Sequence, residues 1–252
     1  MFFTFFFEEL HSQKVNGSVL KIGAFLGKTS ILLDQLMMPS DVLHVCDVFE
    51  EQNQITNLEN LNEVQEYYKK IVPTRALFER NFSLYAKKSP VIYQCESEFL
   101  EKELIDRSFK FIHIDAAHTY TAVDKDVNIS LAKICRNGII VMDDYRNYDA
   151  LGVSQVFWSV IIEKKLQLIF LTETKAYFSF GNENTYLEDL EKFLRKNSID
   201  FYKESINGEL FIRNKYKLKP QRFLILKLFF PTKAFMLVSK IKSKFIRFLV
   251  DL

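Results

Sequence analysis

One stretch constrains the fold of this 252-residue chain more than any other: residues 109–147, with the sequence FKFIHIDAAHTYTAVDKDVNISLAKICRNGIIVMDDYRN. It contains two short apolar runs that end on acids, the first at Asp115 and the second at Asp143 and Asp144. Uninterrupted apolar runs of this length are typical of parallel strands that helices cover on both faces. The stretch therefore predicts two strands of a parallel sheet, each ending on a carboxylate.

The segment between these runs has the periodicity of a helix. Val123, Val127 and Leu131 have helical spacing, and Ile134 follows them. We expect the Asn-Gly pair at 137–138 to end this helix, because both residue types tolerate the left-handed conformation of a C-terminal cap.

Open parallel sheets bind ligands beyond the carboxyl ends of their strands. We therefore expect Asp115, His118, Asp143 and Asp144 to converge at one edge of the sheet, which we interpret as the active edge.

A similar pattern comes earlier in the chain. Residues 19–22 predict the first strand, and Gly23 and Gly27 bound the turn that leads into a helix. Glycines let the backbone approach a ligand closely, and a helix N-terminus offers free N–H groups. A second strand at 42–46 ends at Asp47, which is placed to accept hydrogen bonds from ribose hydroxyls. An ordinary tight turn and a locally capping acid are the alternative.

The rest of the chain continues the alternation of strands and helices, which predicts an α/β fold with a doubly wound, mostly parallel seven-stranded sheet. Asn207-Gly208 is the signal of a two-residue hairpin turn. The further predicted elements are helices at 62–71, 74–84, 98–104, from 156 and at 186–195, and strands at 91–93, 168–171 and 176–180.

Composition narrows the class of protein. Hydrophobic residues make up 48% of the chain, which excludes global disorder. The three cysteines have no metal-site spacing and are interpreted as buried thiols in a reducing, cytoplasmic compartment. The opening MFFTFFFEEL lacks the basic region of a signal peptide, so we expect it to pack on the domain as an amphipathic element.

The net charge of +2 conceals an asymmetry. Residues 215–252 hold ten Lys and Arg and one acid, which leaves 24 basic and 31 acidic residues in 1–214. We therefore expect a catalytic domain at 1–214 and a basic amphipathic helical extension at 215–252. The extension either lies on an anionic membrane surface at the inner face of the membrane or packs on protein, including a second copy. Nucleic acid is disfavoured as a partner, because aliphatic residues and Phe dominate its apolar face.

The order of these features resembles class I S-adenosylmethionine-dependent methyltransferases, and most closely the macrocin- and catechol-type small-molecule O-methyltransferases. Three pieces carry the resemblance: LKIGAFLGKTSILL, VLHVCDVFE, and FIHIDAAHTY followed by GIIVMDDY. It covers about residues 18–180. The implied activity is methyl transfer from S-adenosylmethionine to a hydroxyl of a small-molecule acceptor, such as a sugar or polyol, assisted by a divalent metal.

The resemblance also implies roles for single residues. Gly23 and Gly27 would bound the loop beneath the methionine part of the cofactor, with Thr29 nearby. Asp47 would bind the ribose, and Glu96 and Ser97 would lie beside the adenine.

The acids of the central stretch match a metal site in metal-dependent members. Asp115, Asp143 and Asp144 would hold Mg²⁺, which favours hard oxygen ligands. His118 would act as general base, since a neutral imidazole suits that task, and Asp115 is a further catalytic candidate beside the cofactor.

Two positions depart from the family pattern. Lys21 stands where the first strand commonly carries an acid that helps to hold the cofactor's ammonium group. Ala117 stands where many relatives have an acid, which in some contributes the base. These departures leave open a degenerate protein that binds the cofactor without catalysis, including a membrane-surface adaptor that acts through its basic extension.

A second alternative is a P-loop NTPase or kinase. Residues 23–29, GAFLGKT, are one residue short of the phosphate-loop motif, and IIVMDD imitates an acidic strand that holds Mg²⁺. Asp47 and the IDAAH segment have no role in that scheme.

Overall fold

The computed structural model describes residues 1–49, 72–104, 108–163, 166–181 and 184–215. The helix expected at 62–71 and the extension beyond residue 215 lie outside these described residues. In the described part of the chain, no helix has the length and apolar character needed to cross a membrane.

The strands agree closely with the apolar runs of the sequence. In chain order they are β1 (Ser18–Ile22), β2 (Leu43–Cys46), β3 (Val91–Tyr93), β4 (Phe109–Ile114), β5 (Ile134–Met142), β6 (Gln167–Leu171), β7 (Ala176–Phe180), β8 (Phe201–Ile206) and β9 (Glu209–Asn214).

The helices lie between these strands, as the periodicity predicts. They are α1 (Phe2–Ser12), α2 (Lys28–Leu36), α3 (Arg75–Ser83), α4 (Leu100–Glu103), α5 (Tyr120–Lys133), α6 (Leu151–Ile162) and α7 (Asn184–Lys196), with a 3₁₀ turn at Ser97–Phe99.

The described strands form one sheet in the order β3-β2-β1-β4-β5-β7-β6-β9-β8. The first five in this order are parallel, and their register is level at the carboxyl ends: Ile22 pairs with both Cys46 and Ile114, and Ile114 pairs with Met142. The residues that follow these strands therefore start at one edge of the sheet.

The predicted count of seven strands is wrong, because the described sheet has nine. The Asn207-Gly208 hairpin is confirmed, with φ values of 52° and 86° that suit a tight hairpin turn. The hairpin does not stand apart from the sheet. Its strand β9 pairs in parallel with β6, which extends the sheet by two strands.

The predicted role of Asn137-Gly138 as a helix stop is also wrong. Helix α5 already ends at Lys133, and β5 begins at Ile134. Phe109 pairs with Ile134 whereas Phe111 pairs with Ile139, so β5 contains a bulge between these pairs. The left-handed Asn137, with φ 63°, serves this bulge instead of a helix cap.

The N-terminal helix covers one face of the sheet, as expected of an amphipathic element. Its side chains Phe3, Phe6 and Leu10 are buried, and the ring of Phe6 stacks on Tyr177 of β7 at a centroid distance of 4.7 Å. Phe3 lies edge-on to His113 of β4 at 5.3 Å. Helix α1 therefore closes the sheet face from which Lys21 and His113 project.

Candidate active site

The level carboxyl ends of the parallel strands bring the predicted site residues to one edge of the sheet. The backbone N–H of Gly23 donates to the carbonyl of Cys46 (2.8 Å), that of Asp115 to Ile22 (3.0 Å), and that of Asp143 to Ile114 (3.0 Å). The strand ladder thus continues into the first residue of each loop. The described structure therefore brings the β1 loop, Asp115 and Asp143 together as expected.

The two glycines of the β1 loop have different structural reasons. Gly23 has φ 79°, and a Cβ at this position would lie 2.0 Å from the carbonyl oxygen of Asp115, so this glycine permits close packing of two strand ends. Gly27, with φ 91°, is the N-cap of α2, and Thr29 lies half-buried in the first turn of that helix. The close approach that Gly23 permits is therefore between its own backbone and the backbone of Asp115, and not one to a ligand.

Asp47 holds this loop in place. Its Oδ2 accepts hydrogen bonds from the backbone N–H groups of Ala24 (2.5 Å) and Phe25 (2.9 Å), and its Oδ1 accepts one from Phe49 (2.9 Å). A carboxylate has about four acceptor positions, so the three contacts made by the described residues leave about one. The same contacts disfavour a phosphate loop, because a carboxylate already occupies the amides that such a loop presents to phosphate.

Glu96 and Ser97 follow β3, at the outer end of the same edge. Near Ser97 lies Asp126 of α5, a buried carboxyl that the sequence analysis missed. Burial raises the pKa of Asp126 to about 6, although the nearby Ser97 hydroxyl lowers it in part. The Sγ of Cys46 donates to the carbonyl of Cys95 (3.3 Å), which ties the ends of β2 and β3 together.

Lys21 is turned towards Asp115 at the end of the neighbouring strand. Its side chain is 1% exposed, and its Nζ donates to the carbonyl of Ile22 (3.1 Å) and to Oδ2 of Asp115 (3.3 Å). Burial lowers the pKa of Lys21, and the Asp115 carboxylate opposes that shift. The positive charge of Lys21, which departs from the family pattern, is therefore paired with Asp115.

His113 is a residue of this edge that sequence reasoning missed. It is fully buried, and neither ring nitrogen has a hydrogen-bond partner among the described residues. Burial, reinforced by the charges of Lys21 and Lys175, lowers the pKa of His113 well below its ordinary value, so the ring is neutral. Its Nε2 lies 3.8 Å from Oδ2 of Asp143, which is therefore a polar contact and not an ion pair.

Lys175 was also missed. It lies in the turn between β6 and β7, where its Nζ forms an ion pair with Asp143. The antiparallel pairing of β7 with β5 places Ala176 opposite Met142, so the residue before β7 reaches the carboxyl end of β5. In the sequence, Lys175 is simply a lysine that precedes a predicted strand. Its contact with Asp143 cannot be predicted until the pairing of β7 with β5 is known.

His118 and Asp144 form a second pair at the surface of the edge. His118 Nε2 lies 3.5 Å from Oδ2 of Asp144, and the two side chains are 41% and 28% exposed. Burial raises the pKa of the Asp144 carboxyl, as does the neighbouring Asp143, whereas His118 lowers it. Asp144 has φ 56°, a left-handed conformation that turns it away from the strand direction.

The described residues contain a group that could hold a metal, and it differs from the predicted set. It comprises His113, Asp115 and Asp143, whose ligand atoms lie within 4.8 Å of one another, whereas the carboxylate of Asp144 faces His118. Lys21 and Lys175 already contact the two acids of this group. As arranged, these residues do not fit Mg²⁺, because two ammonium groups lie where a dication would need uncompensated carboxylates.

Two grooves of the described surface lie away from these groups. One is lined by Phe78, Phe82, Lys87 and Ile92, and the other by Leu166, Leu168 and Phe180. Neither contains the carboxylates or His118, so the candidate site is assigned from the chemistry of the strand ends.

Comparisons with known proteins agree with this architecture. A family model described as a methyltransferase domain matches residues 20–145, which is half of the chain and extends from β1 to the residues just after β5. A search of curated proteins found no match.

Solved structures extend the likeness to a larger share of the chain. The O-methyltransferase NovP superposes with a TM-score of 0.56 at 14% identity, covering 71% of this chain and 78% of NovP. A putative O-methyltransferase from Klebsiella pneumoniae superposes with a TM-score of 0.50 at 13% identity, covering 71% of this chain and 80% of the other. At such identities the likeness establishes the fold. With a family model matching half its length, this chain belongs to the methyltransferase-domain family, and its fold is that of the class I S-adenosylmethionine-dependent methyltransferases.

Proposed function

We propose that this protein transfers a methyl group from S-adenosylmethionine to a hydroxyl of a small molecule, such as a sugar or polyol. The observation that carries the proposal is the presence, at one edge of the parallel strands, of a glycine loop held by Asp47 and a half-exposed His118–Asp144 pair. The first supports binding of the methyl donor, and the second supports removal of a hydroxyl proton.

The residues of the β1–β3 side fit the donor. The loop at 23–27 would lie beneath its methionine part, Asp47 has an acceptor position for the ribose, and Ser97 would lie beside the adenine. S-adenosylmethionine supplies an electrophilic methyl group on a sulfonium. Because Lys21 is paired with Asp115 and 1% exposed, its charge is not presented to the donor's ammonium group.

His118 is the general base of the proposal. With Nε2–H towards Asp144, its Nδ1 has the lone pair that removes the proton of the acceptor hydroxyl as the oxygen attacks the methyl carbon in line. Asp144 stabilises the imidazolium that results, and a ring that is 41% exposed can return the proton to water. Asp115, the other predicted catalytic residue, is engaged by Lys21 and is assigned a positioning role.

The surroundings of His118 support an acceptor with a flat or apolar face. Tyr120 and Tyr148 are exposed on the segments beside His118 and Asp144, and Leu151 starts α6 nearby in the chain. Gly152 lets the start of α6 lie close to the backbone that follows His118, since a Cβ at Gly152 would lie 2.3 Å from the backbone nitrogen of Tyr120. Exposed aromatic rings can pack on the carbon face of a sugar ring.

The basic extension is a separate part of the proposal. We propose that residues 215–252 bind an anionic membrane surface from the cytoplasmic side, and their basic, apolar sequence supports this. Sedimentation with anionic vesicles would decrease in high salt if this is correct. Salt-independent binding, or self-association of the full chain without vesicle binding, would contradict it.

The methyl-transfer proposal is tested by titration calorimetry with S-adenosylmethionine, followed by detection of S-adenosylhomocysteine with a panel of sugars and polyols. We expect one donor molecule to bind per chain, with an affinity that Asp47→Ala reduces and Asp124→Ala leaves unchanged. Asp124 is a suitable control because it is a partly exposed acid that accepts a hydrogen bond from Asn128 in its own helix, away from the strand ends. Binding of Mg-ATP without binding of S-adenosylmethionine would overturn the proposal in favour of the phosphate-loop alternative.

A further inference from the structure

The carboxylates that end β4 and β5 are each held by a lysine from elsewhere in the chain. We propose that Lys21 and Lys175 take the position of a divalent cation at these carboxylates, so that methyl transfer at this site proceeds without a metal. This inference rests on the proposed function and concerns how the acceptor oxygen is stabilised.

The contacts are to two of the three acids that were expected to bind metal, Asp115 and Asp143. Lys21 reaches Asp115 from β1, and Lys175 reaches Asp143 from the turn before β7. His113 lies beside these pairs, with its Nε2 3.8 Å from Oδ2 of Asp143. The two ammonium groups therefore lie around the same point as the His113, Asp115 and Asp143 ligand atoms.

The charges at this point balance without a metal. Two carboxylates face two ammonium groups. A dication added here would leave two uncompensated positive charges in a place where the side chains of Lys21, Asp143 and His113 are 1%, 13% and 0% exposed. Charges that are removed from water and not paired are strongly disfavoured. The arrangement thus excludes the cation that the acids alone would attract.

The two lysines have different access to a ligand. Lys175 is 26% exposed and can reach an acceptor bound beside Asp143, whereas Lys21 is buried and can act only by positioning Asp115. In the proposed step the O–H bond of the acceptor breaks, with its proton passing to His118. The new O–CH₃ bond forms while the S–CH₃ bond breaks, and that bond's electron pair remains on sulfur. Lys175 keeps its protons and donates a hydrogen bond to the acceptor oxygen, stabilising its developing negative charge.

Metal binding is measured directly with Mn²⁺ as a spectroscopic probe, by electron paramagnetic resonance on the full chain. We expect no saturable Mn²⁺ binding by the wild type and a new one-to-one site in Lys175→Met, because this change leaves the Asp143 carboxylate without its ammonium partner. Adding Asp143→Asn to Lys175→Met should abolish the new site. The matched control is Lys192→Met, which removes an exposed lysine paired with Asp189 and should create no site.

Two results would overturn the inference: saturable Mn²⁺ binding by the wild type that is lost in Asp143→Asn, or a folded Lys175→Met protein that gains no site. Donor binding is measured on the same samples in chelator. If S-adenosylmethionine binds and the wild type also binds Mn²⁺, only this inference fails. If the donor does not bind, the proposed function fails whatever the metal result. With an acceptor in hand, chelator should leave turnover unchanged, and Lys175→Met should lower kcat at least tenfold with little change in the KM for the donor.

Discussion

The two halves of the candidate site use their carboxylates in opposite ways. On the β1–β2 side, Asp47 binds backbone N–H groups of the adjacent loops and leaves one acceptor position for a ligand. On the β4–β5 side, Asp115 and Asp143 bind side-chain ammonium groups that come from β1 and from the β6–β7 turn. The first half is built by hydrogen bonds to backbone N–H groups of the loops that follow β1 and β2, and the second by ion pairs with lysines that come from neighbouring parts of the sheet. The comparison teaches that equivalent acids at strand ends need not share a role.

The largest effect on activity is expected from His118, in the half-exposed His118–Asp144 pair. His118→Ala should lower kcat by roughly 10²–10⁴-fold, because it removes the general base. The affinity for S-adenosylmethionine, measured by calorimetry, should remain that of the wild type. His11→Ala, an exposed histidine of α1, is the control. Unchanged turnover in His118→Ala would remove His118 from the mechanism.

The next largest effect tests the donor half. Asp47→Ala leaves three backbone N–H groups without their acceptor, so we expect the free energy of unfolding to fall by about 2–3 kcal/mol. Urea denaturation measures this change, and calorimetry should show weaker donor binding in the same protein. A variant with wild-type stability and wild-type donor affinity would contradict the role assigned to Asp47.

A double-mutant cycle tests the ion pair between Lys175 and Asp143 on the β4–β5 side. Lys175→Met and Asp143→Asn should be coupled by about 1–3 kcal/mol in the free energy of unfolding, because the pair is largely shielded from water. The Lys192–Asp189 pair on α7 is exposed and should show much weaker coupling in the same urea experiment. Equal coupling in the two pairs would mean that the Lys175–Asp143 contact is an ordinary surface ion pair.

The smallest effect concerns the neutral imidazole of His113. An unfolded histidine gains a proton below about pH 6.5, whereas His113 with its lowered pKa does not, so the wild type should lose stability as the pH falls below that value. Over the same pH range the His113→Phe variant should lose less free energy of unfolding than the wild type, by up to about 1.4 kcal/mol per pH unit.

Asp126 has the opposite dependence. Its folded pKa of about 6 means that the folded state gains a proton first as the pH falls, which adds stability. Because His113→Phe keeps Asp126, the difference between the two proteins isolates His113. Parallel stability curves for wild type and variant would contradict a buried neutral ring.

Local sequence patterns predicted the elements and the acids at their ends, since apolar runs and helical spacing depend on near neighbours. Asp47, Asp115 and Asp143 were found because each directly follows a strand. The role of Asn137 and the number of strands in the sheet were misjudged, because a bulge and the pairing of β9 with β6 are set by partners far away in the chain. His113 and Lys175 were missed for the same reason. Their contacts exist only through the register of β4 and through the antiparallel pairing of β7 with β5.

The central claim is that this edge binds a methyl donor without the help of a metal. Titration calorimetry with S-adenosylmethionine, in chelator and again with added Mg²⁺, tests it most directly. The account predicts one-to-one binding with the same affinity in both conditions. Binding that requires Mg²⁺, or heat from Mg-ATP and none from S-adenosylmethionine, would contradict it.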